Sequence, residues 1–188
     1  MSKHVASYLG TGITPQQFVE GMQKNQEAFK AGYEQFEWAN AEDQEFFESL
    51  NYRDDLRVLI LAADWCGDVV RNVPVVFRAM ETAGIPTEVF ILEQNFELMD
   101  QFLTMGGRSV PVVIFADTGG YVMGTWGPRP AHVQKHMIEF KQNNPDREAA
   151  DYQDNLAAAR QKIIQAYGEG YEFHAVIIKE LRELISGF

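Results

Sequence analysis

The 188 residues are 46% hydrophobic and 12% aromatic, enough apolar surface for one ordinary folded unit with appendages and not the make-up of a disordered chain. Sixteen basic and 27 acidic side chains leave a net charge of −11, which opposes a grip on nucleic acid or on an anionic membrane surface. A single cysteine, Cys66, excludes an intramolecular disulfide or a cysteine-rich metal site within one chain; without an apolar leader or a run of about 18 apolar residues, the protein reads as cytoplasmic, in a reducing compartment.

In chain order, Thr14 as N-cap and Pro15 at the first helical position open an amphipathic helix to about Trp38, with Phe18, Met22, Phe29, Tyr33 and Phe36 on one stripe. Residues 1–56 carry 10 acidic and 4 basic side chains, a solvated face. A shorter helix follows from Ala41 to Leu50, burying Phe46, Phe47 and Leu50. Arg57 to Ala63 is a continuous apolar run, the mark of a central strand covered on both faces. After Asp64-Trp65-Cys66-Gly67 the spacing turns helical; Pro74 predicts a kink and Gly84 the end. Thr87 to Leu92 reads as a second buried strand, parallel to the first because a helix joins them.

Asn95 to Met105 is expected to be a helix closed by Gly106-Gly107. Val110 to Phe115 is the third strand, and Asp117-Thr118-Gly119-Gly120 turns it back into Tyr121 to Trp126, antiparallel. Pro128 and Pro130 precede a helix to about Gln142, broken by Asn143-Asn144-Pro145. Two helices, Asp146 to Tyr167 and Glu172 to Ser186, complete the chain around Gly168-Glu169-Gly170, a candidate mobile joint.

From Arg57 onward the elements run β, α, β, α, β, β, α. Trp65-Cys66-Gly67 follows the first strand, Pro74 lies in the next helix, Pro111 opens the third strand and Gly127 follows the fourth. Four features in this order resemble the thioredoxin-like superfamily over residues 57–142, with helical extensions at 1–56 and 143–188. The likeness is greatest to bacterial thioredoxin-like proteins with a single-cysteine WCGD-type motif. It implies an α/β fold, a central mixed sheet flanked by helices, and a cis Val110-Pro111 bond against the Cys66 sulfur. Cys66 would be the nucleophile, Trp65, Gly67 and Asp68 would shape the loop, and Val110 and Pro111 would present backbone to an extended substrate.

A cysteine at a helix N-terminus faces unpaired N–H groups, which favours thiolate. Asp68 and Asp64 oppose ionisation and Arg71 favours it, so a modestly activated thiol is expected. The chain departs from thioredoxins at Val69, where they carry the resolving cysteine, and at Ile60, where they carry the aspartate that serves it. Cys66 would therefore attack a disulfide-containing or thiolated protein, and an external thiol would resolve the adduct. That thiol is a co-substrate such as glutathione or bacillithiol, or a substrate cysteine, with no bound cofactor expected. The competing class is a redox-inactive module of this fold that binds peptide or protein. Arg108, next to Ser109, could meet the carboxylate of a small thiol, although an exposed loop residue is the simpler reading. His132 and His136 share a helix face but lack further ligands, so no metal site is expected. The flanking helices are expected to cover their stripes within one chain, as a monomer.

Overall fold

The computed structural model describes residues 3–188. Thr14 opens α1 (Pro15–Gly21) with a reciprocal cap: its hydroxyl accepts from the Gln17 N–H, and the Gln17 side chain accepts from the Thr14 N–H. The single helix expected from Thr14 to Trp38 is in fact two, because α2 (Gln26–Glu34) starts anew after Asn25, which is left-handed at φ 60°. The break is imposed from elsewhere in the chain. The Asp64 carboxylate accepts the Gln23 and Lys24 N–H groups at 2.8 and 3.0 Å, and the Asn25 amide donates to the Asp64 carbonyl at 2.8 Å. The apolar stripe survives the break, since Phe18, Met22, Phe29 and Phe36 are all buried. Asn40 caps α3 (Ala41–Ser49) by accepting from the Asp43 N–H.

Strands β1 (Leu56–Ala62), β2 (Thr87–Ile91), β3 (Val112–Asp117) and β4 (Val122–Trp126) make, among the described residues, one sheet in the order β2-β1-β3-β4. β1 and β2 are parallel, while β3 is antiparallel to β1 and to β4, a mixed sheet as expected. Val58 to Ala62 are fully buried, which is why β1 shows no polar alternation. The crossover is α4 (Gly67–Ala83), which carries Pro74 in its interior and ends at left-handed Gly84. It is the hub of the helical layer: α2, α3 and α8 (Phe173–Ile185) all pack on it, and the Phe29 and Phe77 rings meet edge to face at 5.6 Å.

Two further expectations are corrected. Asn95 to Met105 is not one helix: only α5 (Phe96–Met99) forms, and Met105 and Gly106, both at positive φ, make a tight turn closed between Thr104 and Gly107. After α6 (Ala131–Asn143), residues 144–151 form no helix, so α7 (Tyr152–Tyr167) begins well beyond Asp146.

The first described residues clasp both outer strands. On β4's side Lys3 accepts from the Val122 N–H and Val5 donates to Gly120; on β2's side Ile13 and Val89 exchange two hydrogen bonds. The Glu88 carboxylate adds bonds from the Gly10 and Gly12 N–H groups, both 2.9 Å. This strap satisfies backbone groups that an open sheet edge would leave exposed. No described helix is long and apolar enough to cross a membrane.

Candidate functional site

Cys66 is the extended residue that caps α4, and Gly67 is the helix's first residue. The Cys66 thiol donates to the Val110 carbonyl at 3.4 Å, and Val110-Pro111 is cis. Gly127 explains how the chain closes over this point. At φ 116° its backbone passes so near Pro111 that a Cβ would lie 2.3 Å from the Pro111 carbonyl oxygen, a clash no side chain can make. Trp65 is 51% exposed, with its indole N–H donating to Glu93 at 2.5 Å, so the residue before Cys66 presents a large apolar face to solvent. Trp65, Cys66, Gly67, Asp68, Val110 and Pro111 thus gather where strand β1 gives way to α4 and the chain enters β3. Val69 and Ile60, the two departures from the dithiol pattern, are fully buried core residues.

The charge around the thiol is arranged differently from the expected contest between Asp68 and Arg71. Asp68 pairs with Arg129 at 2.7 Å, both side chains nearly buried, and accepts from the Tyr167 hydroxyl at 2.7 Å. Buried Asn72 donates to the Tyr167 oxygen at 2.8 Å and to the Pro128 carbonyl at 3.0 Å. Burial, reinforced by the Asp68 charge, raises the Tyr167 hydroxyl above its ordinary range and keeps it a donor. Arg71 instead lies over the Tyr167 ring at 5.0 Å.

The expected activation of Cys66 is overturned. Burial is the largest influence and pushes the thiol above its ordinary value, with the Asp68 charge acting the same way. The Val69 and Asp68 N–H groups and Arg129 act the other way without reversing the effect of burial. Arg108, considered for a thiol's carboxylate, is held by a two-pronged pair to Asp100 at 2.6 and 2.8 Å. His132 and His136 each bury an Nδ1 without a hydrogen bond, that of His136 lying 3.8 Å from a Glu139 carboxylate oxygen, and no group of three metal-binding side chains forms among the described residues.

Sequence reasoning missed Arg129, Tyr167, Asn72 and Glu93. Arg129 had one faint signal, its place between Pro128 and Pro130 just after the fourth strand. Tyr167 had none, because 99 positions separate it from Asp68.

The family model described as Thioredoxin matches residues 12–146. No curated protein matches the sequence. Among solved structures, a Pseudomonas aeruginosa protein of unknown function shares the fold with a TM-score of 0.68, 18% identity and 98% coverage of either chain. An HIV epitope-scaffold does so with a TM-score of 0.66, 17% identity and 99% coverage of either chain. The shared fold therefore includes the helices at both ends. The family match takes in most of the chain, including the Trp65-Cys66 loop, Pro111 and Gly127, and the chain belongs to the thioredoxin family.

Proposed function

We propose that this protein exchanges disulfides through Cys66 alone, with a thiol from outside the chain releasing the adduct. One observation carries the reading: the Cys66 sulfur sits 3.4 Å from the Val110 carbonyl, and the preceding residue, Trp65, is half exposed. An extended substrate lying along Val110 would bring its disulfide to that sulfur and offer an N–H to the carbonyl once the thiol proton has gone. Trp65 supplies apolar contact, Gly67 lets Arg71 come close to the loop, and Asp68 and Pro111 hold the loop in shape.

In the first step the Cys66 thiolate attacks one sulfur of the disulfide, a mixed disulfide forms and the other sulfur leaves as thiolate. Val69 has no thiol to finish the reaction. Glutathione, bacillithiol or a substrate cysteine then acts as co-substrate, which suits the reducing cytoplasm. A thiol raised by burial is scarcely ionised at neutral pH, yet its thiolate is the stronger nucleophile and the poorer leaving group. The adduct should therefore be long-lived.

The raised thiol also favours a second reading, a redox-inactive module that uses the same groove for peptide. Incubating wild type and Cys66→Ser with a glutathionylated or bacillithiolated protein separates the two. Exchange requires a mixed disulfide on wild type, seen by intact mass, and reduction of the substrate that Cys66→Ser lacks; equal rates leave only the binding module.

A further inference from the structure

Next to the thiol loop lies a groove of about 490 Å³ that this reading has not used, lined from α2, the first turn of α4, the 168–171 loop and Phe173 of α8. Its volume is within the range of small-molecule sites, about 300–1,000 Å³. Gly67, the residue after Cys66, lines it, so no side chain of that residue separates groove and thiol loop. Arg71 also lines it, with Nη1 3.4 Å from the Gly67 carbonyl and the guanidinium 5.0 Å above the Tyr167 ring. A Cβ on Gly67 would lie 2.9 Å from that nitrogen, so the glycine permits the cation's close approach.

Among the described residues Arg71 enters no ion pair, unlike Arg53, Arg108, Arg129 and Arg182. A groove-lining guanidinium outside any such pair, in a chain of net charge −11, is a ready partner for a carboxylate. Glu169, from the loop on the other side, is the one acidic residue in the lining and offers the complementary charge for an ammonium.

We propose that this groove seats the external thiol: a low-molecular-weight thiol bearing a carboxylate for Arg71 and an ammonium for Glu169, its sulfur directed across Gly67 to Cys66. The assignment rests on the exchange reading above and adds where a small thiol co-substrate is held and by which charged groups. In the step it serves, the bound thiolate attacks the outer sulfur of the group carried by Cys66. A disulfide forms between the two external sulfurs, the bond to Cys66 breaks, and the Cys66 sulfur leaves as thiolate and takes a proton from solvent.

The test loads full-length protein with an S-methylthio group on Cys66, too small to fill the groove, and follows its release by intact mass. Glutathione, bacillithiol and 2-mercaptoethanol are compared, each normalised to its rate on the same adduct of a short cysteine peptide. The expected result is a normalised advantage of about tenfold or more, worth about 1.4 kcal/mol, for glutathione or bacillithiol over 2-mercaptoethanol. Arg71→Met should shrink this ratio to within about twofold and Arg71→Lys should keep part of it, with unchanged circular dichroism reporting an intact fold. Normalised rates within about twofold for all three thiols in the wild type would remove the groove assignment and leave the exchange reading standing. An adduct that resists all three thiols would also remove the groove assignment and would leave a substrate cysteine as the resolving thiol.

Discussion

Asp68 decides how much charge Cys66 feels, and its partner could not be named without the fold. With Arg129 2.7 Å away, the carboxylate's charge is partly offset, and burial remains the larger influence on the thiol. Asp68→Asn should leave Arg129 unpaired near the sulfur and lower the thiol's pKa. Alkylation at pH 7 is then expected to quicken about three- to tenfold, read as iodoacetamide rate against pH. The same change strands a nearly buried guanidinium and should cost about 3 kcal/mol of stability. Adding Arg129→Met should recover part of that loss, since the two sites share one interaction. A pH profile that Asp68→Asn does not move would mean the pair has no bearing on the sulfur. Of this residue-scale picture, Cys66, Trp65 and the Val110-Pro111 neighbourhood were legible as motif. Arg129 and Tyr167 were not, because nothing local in a sequence records which distant polar groups share a buried space.

At the scale of elements, the chain's ends are fastened by single carboxylates. Pro130 has no side-chain group to cap α6, and Glu180 of α8 does so from 49 positions away, accepting from the Ala131 N–H at 2.8 Å and from the Trp126 indole at 2.7 Å. Glu180→Ala removes both bonds and should lower the unfolding free energy by about 2 kcal/mol, measured by urea or thermal denaturation; Glu180→Gln, still an acceptor, should lose less. Asp64 does similar work at the other end, where its three bonds to residues 23–25 divide what the periodicity reads as one helix. The stripe from Phe18 to Phe36 reports only which side faces the core, and that is equally satisfied by two helices in line. Asn95 to Met105 failed for a related reason: apolar residues at helical spacing also suit a single turn followed by a tight turn.

For the whole molecule, the helices at both ends complete the core, and acid should expose this. His174 of α8 is 3% exposed, its Nε2 lacks a partner, and the rings of Phe36, Tyr171 and Phe173 surround it. Burial lowers its pKa from the ordinary 6.5 to about 4. The unfolded chain therefore takes up the proton near pH 6.5 while the folded chain waits until about 4. The stabilisation is complete above pH 6.5 and drains away as pH falls towards 4, on the order of 3 kcal/mol in all. His174→Phe should flatten this part of a stability-against-pH curve, and an unchanged slope between those limits would refute the assignment.

The sequence by itself determined the strands, most of the helices, the family's order of motifs and the single sulfur at the mouth of α4. These follow from periodicity, turn chemistry and caps, which act over a few neighbouring residues. Only the tertiary structure decided the rest: two helices where Asp64 intervenes, a strap across both sheet edges, an Asp68–Arg129 pair closed by Tyr167, and a thiol made less acidic by burial. Desolvation and ion pairing depend on what lies within a few ångströms in space, and folding brings there residues as much as 99 positions apart.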